Sequence, residues 1–321
     1  GGAVGVGGKS FPFLYDIGPW NSTMNFPHDV TRVETGRVFE CPHPCGLIPS
    51  YASNGSAVNG GVPQSPAFNR TLHFATLAAT FERYVEMNET RLVDLDFESW
   101  NPIWEYNPNT SATYIASIQL VKLEHPQWTS TSQIEAEAKR QFETAALALL
   151  IDTAKAVRTL RPSIRIGFYS FPARVYWQGY NSSMGPVLRA RNERLLPLYC
   201  VVDALFPSVY QFYNSENSSS IKAANTAYTF GVVAEAVRLA KLVPSACGKA
   251  MAPSVLAYTW HRYHDGITFL SSSDLIISWE QPYAAGAHGI VMWGSEPTSL
   301  PQFEAWYSTV FAPLANRWVP K

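Results

Sequence analysis

The chain has 321 residues, with 24 Lys and Arg against 25 Asp and Glu and a formal net charge of −1. This balance excludes the broad basic surface of a protein that binds nucleic acid or a membrane surface. Hydrophobic residues make up 46% of the chain and aromatic residues 13%, which excludes disorder as the default and is ample for one large core.

Short β-rich runs alternate with longer helical patterns, which is typical of βα units that build a parallel sheet. Seven strands are predicted, at residues 12–16, 37–40, 92–97, 164–171, 201–209, 251–258 and 289–293. Helices are predicted at 72–86, 132–160, 189–198, 221–243 and 273–285, with a last one from residue 302. The alternation predicts a single TIM-like (β/α) barrel domain over residues 11–321, after a flexible glycine-rich N-terminus at 1–10.

The third predicted strand carries an alternation of acidic and apolar residues. Because strand side chains alternate between faces, Asp94, Asp96 and Glu98 are predicted to share one face. Three carboxylates inside a barrel are costly to bury, and their proximity raises the pKa of at least one, as an acid catalyst requires. The alternative is an edge strand whose acids face water. The position of Glu98 at the strand end favours an active site, because barrel active sites gather at the C-terminal ends of strands.

Residues 93–104, with an Asp-Phe-Glu-x-Trp-x-Pro-x-Trp core, resemble the catalytic strand of the hyaluronidases, glycoside hydrolase family 56. Further matches follow in the same order, with Asn-Gly-Gly-Val-Pro-Gln at 59–64, Glu-His-Pro-x-Trp at 124–128, Gly-Phe-Tyr-Ser-Phe-Pro at 167–172, Leu-Phe-Pro-Ser-Val-Tyr at 205–210 and Gly-Ile-Val-Met-Trp-Gly at 289–294. The resemblance extends from about residue 12 to residue 313. It implies a distorted seven-stranded barrel that cleaves internal β-linked N-acetylhexosaminide bonds of hyaluronan or chondroitin with retention of configuration and without a cofactor.

The same resemblance assigns the chemistry to three residues. Glu98 would protonate the leaving oxygen and then activate water, which predicts an acidic optimum because this carboxyl must first be protonated. Asp96 would hold the 2-acetamido group of the substrate, whose carbonyl oxygen is the nucleophile in substrate-assisted cleavage. Tyr210 would hydrogen-bond that carbonyl oxygen.

The resemblance also implies a set of substrate contacts. Tyr169 and Trp293 would form the floor under the sugar at the cleavage point, although aromatic residues at strand ends are otherwise ordinary barrel filling. Asp16 and Tyr258, at two other strand ends, are candidates for the rim. Asn101 is a further candidate for substrate contact, beside the acid catalyst.

Several positions depart from the family pattern. Asn101 stands where the family has an arginine, Ile48 where it often has a tyrosine, and Asp94 where it has an apolar residue. The family's barrel cysteines are missing near Arg174 and Leu300. Since hyaluronan carries a carboxylate on every second sugar, a groove with fewer arginines would bind it weakly or prefer another polymer. The alternatives are a catalytically inactive glycan-binding barrel and a chitinase-like hydrolase.

Cysteines and glycosylation motifs indicate the compartment. Cys41, Cys45, Cys200 and Cys247 allow three pairings, of which Cys41–Cys45 with Cys200–Cys247 is favoured in a secreted protein. A zinc site at Cys41-x3-Cys45 lacks a second ligand pair, so no metal is expected. No apolar run approaches the ~18 residues of a membrane span, and a monomeric, secreted protein is expected. The secretory route is supported by seven Asn-x-Ser/Thr motifs, at Asn21, Asn54, Asn69, Asn88, Asn109, Asn181 and Asn217.

Overall fold

Seven parallel strands form the main sheet of the protein, in a computed structural model that describes residues 13–17, 39–41, 45–173, 175–176, 179–294 and 300–314. The strands are β1 (Phe13–Ile17), β2 (Phe39–Glu40), β3 (Ser50–Tyr51), β4 (Ala57–Val58), β5 (Leu92–Leu95), β6 (Arg165–Tyr169), β7 (Ala204–Phe206), β8 (Ser254–Trp260) and β9 (Gly289–Gly294). The sheet runs in the order β1-β9-β8-β7-β6-β5-β2, and β3 and β4 form a separate antiparallel pair. The predicted barrel with seven parallel strands is confirmed, although β3 and β4 were not predicted.

Helices connect the successive strands and cover the outer face of the sheet. They are α1 (Arg70–Tyr84), α2 (Ala112–Glu124), α3 (Thr131–Leu160), α4 (Gly185–Glu193), α5 (Leu196–Tyr199), α6 (Ser219–Cys247), α7 (Ser272–Ala284) and α8 (Leu300–Trp306). A short 3-10 helix (Trp104–Tyr106) and a π-helical turn (Tyr307–Phe311) complete the described part. The predicted helix over 189–198 is in fact split into α4 and α5.

Helix α2 is absent from the sequence prediction. Its buried positions include Thr113 and Ser117, whereas the apolar Ile115 and Leu123 are exposed, so the apolar residues form no single stripe that marks the helical period. The Ser111 hydroxyl caps the first turn by accepting from the Tyr114 amide at 3.2 Å. Helix α3 shows the opposite case, because large apolar residues recur along its buried face and its bounds agree with the prediction to within one residue.

The alternation of side chains along the strands divides the core into two layers. The outer layer, between sheet and helices, contains Val93, Leu95, Ile166, Phe168, Leu205, Val255, Ala257, Ile290 and Met292. The inner layer, inside the curved sheet, contains Leu92, Tyr169, Ala204, Phe206, Leu256, Tyr258 and Val291. The inner layer is thus rich in aromatic residues at the C-terminal ends of the strands, where barrel enzymes place their chemistry.

Gly167 provides the space that this inner layer needs. It pairs with Asp94 on one side and Ala204 on the other in the parallel register. A Cβ atom at this position would lie 2.5 Å from the Phe206 ring and 2.7 Å from the Ala204 carbonyl oxygen. Only glycine therefore allows the Phe206 ring to fill the interior.

Both cysteine pairs are joined by disulfide bonds. Cys41 is bonded to Cys45 and Cys200 to Cys247, each with a Cα–Cα distance of 5.7 Å. The second bridge ties the end of α5 to the last residue of α6. None of the helices in the described ranges combines the length and the apolar character that a bilayer span requires.

Candidate active site

Strand β5 brings the acidic residues to the mouth of the barrel. It lies between β2 and β6, and all four of its residues are buried, which excludes the alternative of an edge strand facing water. Asp94 is only 2% exposed and belongs to the inner face, opposite Gly167. The strand ends at Leu95, so Asp96 is half-buried and Glu98 is exposed in the loop that follows. One carboxylate oxygen of Asp94 and one of Asp96 are completely buried.

Tyr210 lies within electrostatic reach of two of these carboxylates, those of Asp94 and Glu98. It is 7% exposed, in the segment that follows β7. Burial raises the pKa of its hydroxyl well above 10.0, and the neighbouring Tyr169 hydroxyl and the carboxylates of Asp94 and Glu98 raise it further. The hydroxyl is therefore a neutral hydrogen-bond donor over the whole acidic and neutral range. The structure thus brings together Glu98 and Tyr210, which are 112 positions apart in the sequence.

Aromatic rings from the ends of three strands, β6, β8 and β9, surround Tyr210. Its ring stacks against Trp293 at a centroid distance of 5.9 Å, and Tyr169 lies 5.9 Å away on another side. Trp260 contacts both Tyr210 at 5.8 Å and Trp293 at 5.2 Å. Trp260 and Trp293 are half-buried, so part of this floor is open to the mouth. The predicted floor residues Tyr169 and Trp293 accordingly lie beside the predicted catalytic tyrosine.

Trp260 was missed in the sequence analysis because the predicted strand ended at residue 258. The observed strand β8 continues to Trp260, which lies two residues after Tyr258 and therefore on the same inner face. The continued spacing of two between Leu256, Tyr258 and Trp260 would have predicted that the strand extends to residue 260.

Tyr258 does not lie at the rim, which corrects the prediction. It is 1% exposed, and its ring packs against Tyr169 at 5.2 Å and Phe206 at 5.3 Å. The Tyr169 hydroxyl is hydrogen-bonded to Ser208 Oγ at 2.9 Å, and the backbone of Ser208 bridges that of Tyr258. Tyr258 and Ser208 therefore support the floor from below and fix the position of Tyr169.

A cleft of about 400 Å³ opens beside Glu98. Its wall includes Asn101, Asn107, Tyr169 and Ser170, and none of its described lining residues is a lysine or arginine. Asn101 therefore lies at the cleft, as predicted for a substrate-contacting residue, but its Oδ1 accepts from the Ile103 amide at 2.9 Å and so shapes the loop. The cleft offers amide and hydroxyl groups next to one carboxylate.

Hydrogen bonds to distant elements hold the loop that follows Glu98. Trp100 Nε1 donates to the Pro49 carbonyl oxygen at 2.7 Å, and the Trp104 amide donates to the Glu143 side chain on α3 at 2.9 Å. The segment containing Pro49 is held in turn by the buried His73 of α1, which contacts the Leu47 backbone at 2.8 and 2.9 Å. The loop that carries Glu98 is thus anchored at Trp100 and at Trp104.

The remaining predicted site residues lie at or beyond the limits of the described structure. The backbone of Asp16 pairs with that of Trp293, so it is at the same end of the barrel, but its side chain is not described. Asn21 lies outside the described residues, as does the predicted N-terminal segment at 1–10. The other predicted glycosylation sites are exposed, at Asn54, Asn69, Asn88, Asn109, Asn181 and Asn217. Within the described residues, no three or more His, Cys, Asp or Glu side chains form a group that would hold a metal ion.

Comparison with known proteins gives consistent matches to one family. The family model described as hyaluronidase matches residues 39–304. The hyaluronidase of Polistes annularis is 33% identical over 286 residues, which cover 86% of this chain and 71% of that protein. Hyaluronidase-2 of Mus musculus is 33% identical over 257 residues, or 78% of this chain and 52% of the relative. The chain thus spans about half the length of this mammalian relative.

Solved structures show the same fold. A crystal structure of bee venom hyaluronidase has a TM-score of 0.80 and 24% identity, and the match covers 95% of this chain and 99% of that one. A second structure of bee venom hyaluronidase, in complex with a hyaluronic acid tetramer, has a TM-score of 0.78 and 25% identity over 96% of this chain and 99% of that one.

Proposed function

We propose, since this chain belongs to the hyaluronidase family, that it is a secreted endo-β-N-acetylhexosaminidase that hydrolyses hyaluronan. The observation that carries the proposal is that Glu98 lies within electrostatic reach of Tyr210, beside an aromatic floor at the C-terminal mouth of the barrel, with Asp96 two positions before Glu98 in the chain. Glu98 is exposed to the cleft, whereas Asp96 has a buried carboxylate oxygen. The bee venom relative that was solved with a hyaluronic acid tetramer supports hyaluronan as the polymer.

The proposed reaction starts with proton transfer from the Glu98 carboxyl to the glycosidic oxygen, as the bond from that oxygen to the anomeric carbon breaks. The acetamido carbonyl oxygen of the same sugar attacks the anomeric carbon from the opposite face and forms a cyclic intermediate. Asp96 accepts the amide N–H and keeps the carbonyl oxygen aligned. Water then attacks the anomeric carbon, gives its proton to Glu98 and reopens the ring, so the configuration is retained.

Tyr210 acts on the nucleophile in this scheme. Its hydroxyl donates to the acetamido carbonyl oxygen and positions it for attack. The raised pKa of Tyr210 supports this role, because the hydroxyl keeps its proton throughout the acidic and neutral range. Tyr169, Trp260 and Trp293 provide the surface on which the reacting sugar packs.

Several observations support a secretory location. Two disulfide bonds are typical of proteins that mature in an oxidising compartment. All six described asparagines of the glycosylation motifs are exposed, so each is accessible to glycan transfer.

The test is an incubation of the protein and its Glu98→Gln variant with hyaluronan, chondroitin and chitin oligomers over acidic to neutral pH, followed by analysis of product size. We expect even-numbered oligosaccharides from hyaluronan with the wild type, an acidic optimum, and loss of nearly all turnover with retained binding in the variant. Cleavage of chondroitin in place of hyaluronan would revise the polymer. Activity on chitin oligomers alone would indicate a chitinase-like hydrolase, and binding without cleavage of any polymer would indicate a glycan-binding protein.

A further inference from the structure

We propose that the candidate active site continues into a second sugar-binding surface, the aromatic shelf, formed by Tyr176, Phe212, Tyr213 and His264. This inference rests on the proposed function and extends it to sugars beyond the cleavage point. The four residues come from the segments that follow β6, β7 and β8, so they lie at the same end of the barrel as Glu98. The occupant that fits is a further stretch of the same polysaccharide chain.

The shelf is continuous with the floor of the candidate site. The ring of His264 lies 6.1 Å from that of Tyr210 and stacks on Phe212 at 4.2 Å with an interplanar angle of 14°. Tyr176 follows at 5.2 Å from Phe212, and Tyr213 lies 5.5 Å from Tyr176. An unbroken series of ring contacts therefore extends outward from the proposed catalytic tyrosine.

The shelf is also open to solvent. Tyr213 is 40% exposed, His264 is exposed, and Phe212 and Tyr176 are half-buried. Aromatic rings that stay partly exposed in a contiguous group mark a binding surface more often than chance packing. Such rings suit a carbohydrate, because a sugar ring presents an apolar face of C–H groups that packs against an aromatic face while its hydroxyl groups remain in water.

A buried polar network holds the shelf in place. Asn225 of α6 is fully buried, and its Oδ1 accepts from the Tyr176 hydroxyl at 2.5 Å. Its Nδ2 donates to the Tyr213 carbonyl oxygen at 2.9 Å and to Asp274 Oδ1 at 2.8 Å. One buried amide therefore fixes two of the shelf residues at once. A buried polar group that has all its hydrogen bonds holds its partners in one arrangement. The shelf therefore loses little conformational entropy when a ligand binds.

The segment after β8, in which Arg262 and Phe269 form an antiparallel bridge, carries His264 and is also held by buried polar groups. The His264 amide donates to the Gln211 carbonyl oxygen at 3.0 Å. Gln211 is itself fully buried and donates from its side chain to Thr229 Oγ1 on α6 at 2.9 Å. The stacked pair of His264 and Phe212 is therefore a preformed platform.

The experiment compares the wild type with a Tyr213→Ala/His264→Ala double variant on hyaluronan oligosaccharides of increasing length and on the long polymer. We expect the KM for the long polymer to rise about tenfold with kcat unchanged, because the shelf binds ground state and transition state equally. On the shortest oligosaccharide that is cleaved, kcat/KM should equal that of the wild type.

Two control variants separate loss of the shelf from loss of folding. Tyr84→Ala removes a tyrosine that is 48% exposed at the end of α1, at the opposite end of the barrel, and should leave KM unchanged. Tyr213→Phe keeps the ring and should also keep the wild-type KM, and thermal unfolding confirms that all variants are folded.

An identical dependence of KM on chain length in the wild type and the double variant would overturn the shelf while leaving the proposed function intact. If the wild type cleaves none of the polymers, the proposed function fails, and the shelf is then tested by titrating hyaluronan octasaccharide into both proteins in a calorimeter. Binding that is lost in the double variant supports the shelf, whereas equal binding, or no binding to the wild type, overturns it.

Discussion

Replacement of Tyr210 by phenylalanine tests the proposed chemistry most directly, because it removes one oxygen atom and keeps the ring. The phenyl ring retains its packing against Trp293 at 5.9 Å and Trp260 at 5.8 Å. If the hydroxyl donates to the acetamido oxygen as charge develops there, its loss should lower kcat by about 10²–10³-fold, the effect of deleting one donor at such a position.

The effect on stability is much smaller. The lost hydroxyl contacts Tyr169, and one buried hydrogen bond contributes about 0.5–1.5 kcal/mol. Since the entropy of unfolding is about 2.1 cal/mol/K per residue, a chain of 321 residues should lose only about 1–2 °C of Tm. A fall in kcat of two orders of magnitude therefore cannot come from unfolding at the assay temperature.

The assay measures kcat and KM on hyaluronan over a pH series, together with thermal unfolding, for Tyr210→Phe and for Tyr228→Phe as a control. Tyr228 is also buried, and its hydroxyl donates to the Ser208 carbonyl oxygen at 3.2 Å, so its loss should cost stability without a comparable loss of turnover. Because the pKa of Tyr210 is raised well above 10.0, the pH profile of Tyr210→Phe should be parallel to that of the wild type. A loss of kcat below tenfold, or one matched by the control, would refute the assigned role.

Two further predictions concern stability. Cysteine-to-serine replacement of the Cys200–Cys247 bridge, whose cysteines are 47 positions apart, should lower the free energy of unfolding by about 4 kcal/mol. The same replacement of the Cys41–Cys45 bridge, with its separation of 4, should lower it by only about 2 kcal/mol, because a shorter loop is closed. Urea unfolding of both variants checks this, and a larger loss for the Cys41–Cys45 bridge would contradict it. Burial lowers the pKa of His261 from 6.5 to about 4. As the pH falls, this histidine therefore takes up its proton at a higher pH in the unfolded chain than in the folded protein. About 3 kcal/mol of stability that is present above pH 6.5 should be lost by pH 4. His261→Phe should remove this part of the pH dependence, and unfolding curves that keep the wild-type slope would show that other groups cause it.

Part of the site was accessible from local patterns. The alternation of Asp94, Asp96 and Glu98 with apolar residues predicted a strand with an acidic inner face. Strand β5 has Asp94 on that face, and Glu98 lies at the mouth of the barrel in the loop that follows the strand. Such predictions succeed because the side-chain period of a strand is a property of the local backbone. Helix α2 was missed for the converse reason, since its buried Thr113 and Ser117 give no apolar period to detect.

The seven strands of the main sheet with their order along the chain, the alternation in β5 and the long helix α3 were determined by the sequence alone, because each depends on neighbouring residues. Only the tertiary structure decided three features of the site. They are the placement of Tyr258 below the floor, the inclusion of Trp260 in the floor, and the series of ring contacts from Tyr210 to Tyr213. These features depend on how strands and loops that are far apart in sequence meet when the sheet curves, and alternation gives the face of a residue but not the partner it meets there.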